Sequence, residues 1–81
     1  MTTTKQAEYA VIERIREIQK DRGTTNKHLY TAAGISKDTW RDRMSGKYSF
    51  TLRELLAVAE ALGVPFTALT QSHVDSLERA A

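Results

Sequence analysis

The 81-residue chain contains no cysteine. A disulfide framework and a thiolate metal site are therefore excluded, and the composition fits a reducing compartment. Nothing approaches the roughly eighteen consecutive apolar residues of a membrane span. The opening MTTTKQ is polar and lacks the apolar stretch of a signal peptide. Histidine occurs twice, at His28 and His73, well separated in sequence. No nucleophile elbow, metal-ligand cluster or glycine-rich phosphate loop is present, and a chain this short has no room for a cleft between two lobes. An enzyme, a cofactor and a bound metal are all unexpected on these grounds. Paired acids such as Glu13 and Glu17 are most simply a solvated helix face.

What is there is an uneven distribution of charge. The net charge is only +2. Residues 36–53 carry Lys37, Arg41, Arg43, Lys47 and Arg53 against Asp38 and Asp42, a net +3. Residues 54–81 carry Arg79 against Glu54, Glu60, Asp75 and Glu78, a net −3. A basic face and an acidic end are the footprint of a polyanion binder with a second surface for another purpose.

Apolar spacing predicts an all-α chain. Val11, Ile15 and Ile18, with Ile12 beside them, recur at helical intervals from Tyr9 to about Arg22. Basic residues in the last turn and Gly23 after it mark the end of that helix. Thr25 is a suitable N-cap for a second helix, Asn26 to Ala33. Its first turn holds Asn26, Lys27 and His28, where helices prefer acids; cations and amides at that end instead suit a bound anion. Thr51 and Glu54 form the Thr-x-x-Glu capping signature ahead of a helix from Leu52 to Leu62. The apolar stripe of that helix is Leu52, Leu55, Leu56, Ala59 and Leu62. Gly63, Val64 and Pro65 close it, and Pro65 suits the start of a fifth short helix through Leu69.

The segment Leu29 to Gly46, LYTAAGISKDTWRDRMSG, carries the most information. Gly34 breaks one helical pattern, Ser36 caps another, and Ser45-Gly46 ends it. Trp40 and Met44 lie four apart and should face inward, leaving Lys37, Asp38, Arg41 and Asp42 on the outer side. Two short helices joined by a tight glycine-containing turn are a helix-turn-helix. A polar, long-armed face on the second helix is what reading a DNA major groove requires.

With these residues in place the chain resembles the lambda-repressor-like (Cro/repressor type) helix-turn-helix family from about Ile15 to Leu69. The likeness rests on Gly23-Thr24-Thr25, on Leu29 with Ala33-Gly34-Ile35-Ser36, and on Ser45-Gly46-Lys47. It continues through Phe50-Thr51-Leu52, Glu54-Leu55, Ala59 and Leu62-Gly63-Val64-Pro65, and closes at Leu69. The resemblance implies a compact five-helix bundle whose third helix, residues 36–45, enters the major groove. On that basis three regions are expected: residues 1–8 as a flexible N-terminal arm, 9–70 as the DNA-binding domain, and 71–81 as a tail or short sixth helix. The resemblance also implies site roles. Lys37, Asp38, Arg41 and Asp42 fall where family members touch base edges. Thr25 and Asn26 fall where the second helix meets phosphate, and Gly46, Lys47 and Tyr48 lie in the loop that grips the backbone on the other side.

Two positions depart from the family pattern. Tyr30 stands where alanine is usual at the close crossing of the two helices; it either leans over the DNA backbone or holds the helices farther apart. Arg43 stands where an apolar residue is common, at the border of the inner face and within reach of phosphate. Together the expected backbone contacts are Thr25, Asn26, Lys27, Ser36, Arg43, Lys47 and Tyr48, which would orient the protein without reading sequence. Among the base-reading residues, Arg41 can grip guanine O6 and N7 together, and Lys37 can do similar work with less geometric constraint. Asp38 is expected to hold Arg41 in place, with Asp42 near the groove edge.

The expected partner is therefore double-stranded DNA, a palindromic operator bound by a homodimer, because one recognition helix reads only a few base pairs. The acidic C-terminal third, with Phe66, Leu69, Val74 and Leu77, is the expected dimer surface. The expectation is a small Cro-like transcriptional repressor in the cytoplasm of a bacterial or phage-infected cell, since no C-terminal regulatory domain follows. The competing class is a protein-interaction module, such as an antitoxin or the partner of another DNA-bound factor.

Overall fold

The computed structural model describes residues 4–70 of the chain. Within them lie α1 (Thr4–Arg22), α2 (Asn26–Ala33), α3 (Lys37–Met44), α4 (Leu52–Leu62) and a short α5 over 66–70, with no strand among the described residues. The all-α, five-helix expectation holds. Residues 71–81, where a tail or sixth helix was expected, lie outside the described residues.

Three helices begin as their local sequences dictate. The Thr25 and Ser36 hydroxyls accept from the amides of His28 (3.2 Å) and Thr39 (3.1 Å). Thr51 and Glu54 form the full reciprocal box: Thr51 Oγ1 accepts from Glu54 N, and Glu54 Oε1 accepts from Thr51 N at 2.9 Å. Each cap satisfies amides that the helix itself leaves unpaired. Between α2 and α3, Gly34 adopts φ 71°, a left-handed conformation that side chains rarely tolerate, and the turn closes with Ile35 N donating to Tyr30 O.

The core is Ile15, Ile18, Leu29, Trp40, Val58, Ala59, Leu62 and Leu69. On α1 the buried residues are Ile12, Ile15 and Ile18, of which Ile15 is fully enclosed, with Val11 only partly covered. Trp40 does face inward, and its ring meets Phe50 edge-on, centroids 5.6 Å apart at 70°, a favoured aromatic geometry. Helix α2 packs chiefly on α4. Arg14 Nε donates to Ala68 O at 3.0 Å, tying α1 to α5.

Three expectations need correction. Helix α1 begins at Thr4, not Tyr9, so residues 4–8 continue the helix instead of forming part of an arm: TKQAE holds no glycine or proline to break it. Leu52 and Leu56 are 63% and 49% exposed. They sit at the edge of an apolar stripe wider than the surface α4 has available to bury. Leu69, expected on a dimer surface, is fully buried in the chain's own core, because α5 folds back against α1. No helix among the described residues is long and apolar enough to cross a membrane.

Candidate nucleic-acid interface

Helix α3 is polar on one side because Trp40 commits the other side to the core. Lys37, Asp38 and Arg41 are exposed, whereas Asp42 is half-buried. Arg41 Nη2 lies 3.2 Å from Asp38 Oδ1, one helical turn away, with both side chains more than 70% exposed. Such a pair adds little stability in water. The contact places the Asp38 carboxylate beside the Arg41 guanidinium on the outer side of α3. Asp42 contributes through its main chain: its carbonyl accepts from Ser45 Oγ (3.0 Å), Lys47 N (3.0 Å) and Tyr48 N (3.3 Å). It thereby anchors the loop that follows.

The flanks of α3 carry the other expected residues. On one side Thr25, Asn26 and Lys27 are exposed at the start of α2. Thr25 is occupied as a cap, and Asn26 Oδ1 accepts from Gln19 Nε2 at 2.9 Å, which fixes the amide. Ser36 is likewise occupied by its capping bond and by its hydroxyl contact with Thr39 Oγ1 (2.9 Å). On the other side Lys47 and Tyr48 are exposed on the loop, and Lys47 Nζ lies 5.6 Å from the centre of the Tyr48 ring.

Arg43 does not join them. Its Nε donates to Glu54 Oε1 at 3.0 Å, and the two side chains are only 19% and 10% exposed. The expectation of a phosphate contact is corrected by that commitment: a guanidinium held between α3 and the first turn of α4 is an internal strut. Burial alone would raise the Glu54 pKa. The Arg43 hydrogen bond, the Thr51 amide and the positive charge of Arg43 outweigh it, and the carboxyl is held below its ordinary value. Glu54 thus closes the α4 cap and fixes the far end of α3 with one oxygen.

Tyr30 is half-buried, packed against the core, and lines an open cleft of about 680 Å³ between α1, α2 and α3. Arg16, Lys20, Lys37 and Arg41 stand around that cleft with no carboxylate in its wall. Arg16 and Lys20 escaped the sequence reading. The available signal was their spacing of four on α1, which places both on one face.

The family description of a Cro/C1-type helix-turn-helix DNA-binding domain matches residues 14–69. The chain belongs to that family. No curated protein and no solved structure matches the chain. The matched segment spans the caps, the glycine turn, α3 and the loop after it. Residues 4–13 of α1 precede the matched segment.

Proposed function

We propose that this protein is a sequence-specific transcriptional regulator, a small Cro-like repressor, that seats α3 in the major groove of a palindromic operator as a homodimer. The observation that carries the reading is the division of α3 into a buried Trp40 side and an exposed Lys37–Asp38–Arg41 side, flanked by Asn26 and Lys27 on α2 and by Lys47 and Tyr48 on the loop. Base contacts come from Lys37, Asp38, Arg41 and Asp42. Backbone contacts come from Thr25, Asn26, Lys27, Ser36, Lys47 and Tyr48, by hydroxyl, amide or charge. Selection of binding sites from random duplexes tests the reading; failure to enrich any sequence counts against it.

Two substitutions separate base reading from backbone grip. Arg41→Ala is expected to weaken operator binding by about 1–3 kcal/mol and to relax discrimination at one base pair. Binding measured across single-base operator variants checks this, and an unchanged pattern removes Arg41 from base reading. Lys47→Ala is expected to weaken operator and unrelated DNA alike and to lower the salt slope by about 1. A base-dependent loss contradicts that role.

The second copy needs an apolar contact, since half-sites about 34 Å apart place one recognition helix on each. Leu52 and Leu56 are the large aliphatic side chains left exposed among the described residues, and a dimer contact through them covers both. Sedimentation on a palindromic duplex tests the stoichiometry; a strict one-to-one complex refutes the dimer. The same two leucines also suit a foreign protein partner, the antitoxin-like reading. A salt titration decides between the readings, because affinity for DNA that does not fall with rising salt removes the backbone grip.

A further inference from the structure

The N-terminal turns of α1 lie outside the family-matched segment and yet touch the loop that the proposed function assigns to the DNA backbone. Three contacts run along one side of α1. Arg16 Nη2 donates to Met44 O at 3.3 Å, at the end of α3. The ring of Tyr9 lies against Gly46, so closely that a Cβ on Gly46 would stand 2.8 Å from Tyr9 Cε1. Ser49 Oγ donates to a Glu8 carboxylate oxygen. Lys5 Nζ lies 6.0 Å from the centre of the Tyr9 ring.

The loop needs such support. Gly46 has φ +83°, a left-handed conformation that glycine adopts readily because it carries no Cβ. Past it, Lys47 and Tyr48 are exposed, and the loop's own anchors all run back to the end of α3: Gly46 N to Arg43 O (3.2 Å), Lys47 N, Tyr48 N and Ser45 Oγ to the carbonyl of Asp42, and Lys47 N to Ser45 Oγ (3.4 Å). Tyr9 covers the glycine from one side, and Glu8 secures the chain on the far side of Tyr48. Tyr9 is itself 43% exposed and is not among the residues packed on the core cluster.

We propose that Glu8 and Tyr9 are positioning residues: they form a brace, in the turns of α1 that precede the matched segment, that holds the Gly46–Ser49 loop in its backbone-gripping conformation. The proposal rests on the DNA-binding role of that loop. The brace acts on affinity for any sequence, because Lys47 and Tyr48 face phosphate and not base edges.

The test compares the full-length protein with Tyr9→Ala, Tyr9→Phe and Ser49→Ala on a selected operator and an unrelated duplex, over a range of salt, at a temperature where each variant is shown to be folded by circular dichroism. Tyr9→Ala is expected to weaken both duplexes by about tenfold near 0.1 M salt and to lower the salt slope by about 1, the counterion-release signature of one lost phosphate contact. Adding Lys47→Ala to Tyr9→Ala should then change little, since the two act as one unit. Tyr9→Phe, which keeps the ring, should restore wild-type binding. Ser49→Ala should give a smaller loss of the same kind, and it serves in place of Tyr9→Ala should that variant be unfolded. A folded Tyr9→Ala protein with an unchanged salt slope and an undiminished Lys47→Ala penalty overturns the brace. Wild-type protein that binds neither duplex at low salt overturns the DNA reading itself, a separate result visible before any variant is made.

Discussion

Trp40→Ala is expected to lower the stability of the fold by about 3–5 kcal/mol, the range for truncating a buried aromatic. A domain of this length has a total stability of only about 4–12 kcal/mol. Trp40 is almost fully buried, joins the single core cluster and meets Phe50 edge-on, so its removal empties space beneath α3 and orphans the partner ring. Apart from Trp40, α3 is held by Met44 against the core, by the Arg43–Glu54 pair and by the Arg16 bond to Met44 O, and its outer side faces solvent. Loss of Trp40 should therefore release the recognition helix together with the fold. Thermal melts should show the midpoint falling by roughly 15–30 °C, and DNA binding should disappear at the temperature where the helical signal does. Trp40→Phe, which keeps an aromatic beside Phe50, should lose less. A drop below about 1 kcal/mol for Trp40→Ala removes the residue from its structural role. The contrast with Arg41→Ala is direct: adjacent residues on one helix, one expected to alter the melt and the other the base preference.

Glu54→Ala is expected to destabilise by about 2–3 kcal/mol, because it deletes charge-assisted hydrogen bonds at a largely buried carboxylate. The variant leaves Arg43 without its partner at 19% exposure and the Thr51 amide without its acceptor. Glu54→Gln keeps an acceptor for Thr51 and should lose less. The pH dependence follows from the direction of the shift. The folded-state pKa of Glu54 is depressed, so its contribution is present above the ordinary glutamate value of the unfolded chain. It is lost as pH falls through the lower, folded-state value. Urea titrations at neutral pH and at about pH 3 should show the wild-type advantage over Glu54→Gln shrinking in acid. An advantage that persists undiminished at low pH contradicts a stabilising charge at this position.

Local chemistry was readable along the chain; partners distant in sequence were not. Thr25, Ser36 and Thr51 cap as expected because a cap is decided within four residues. The inward direction of Trp40 follows from helical spacing alone. Arg43 was misread because its partner, Glu54, lies on the next helix; the capping signature explained Glu54 completely without revealing that the same oxygen also receives a guanidinium. Leu52 and Leu56 have the spacing of core residues, and periodicity says which residues share a face without saying how wide a face the neighbours can cover. Arg16 and Lys20 look like ordinary surface cations until α2 and α3 are placed opposite them.

The amino-acid order by itself determined the helical class, the helix boundaries from α2 onward, the glycine turn and the identity of the exposed side chains on α3, since each depends on backbone preference and short-range periodicity. The tertiary structure decided which charges remain available. It withdrew Arg43 into an ion pair, buried Leu69, left two leucines on the surface, and laid the first turns of α1 against the loop after α3. Those outcomes depend on distances between segments remote along the chain, where Coulomb attraction and packing act only after the helices have met.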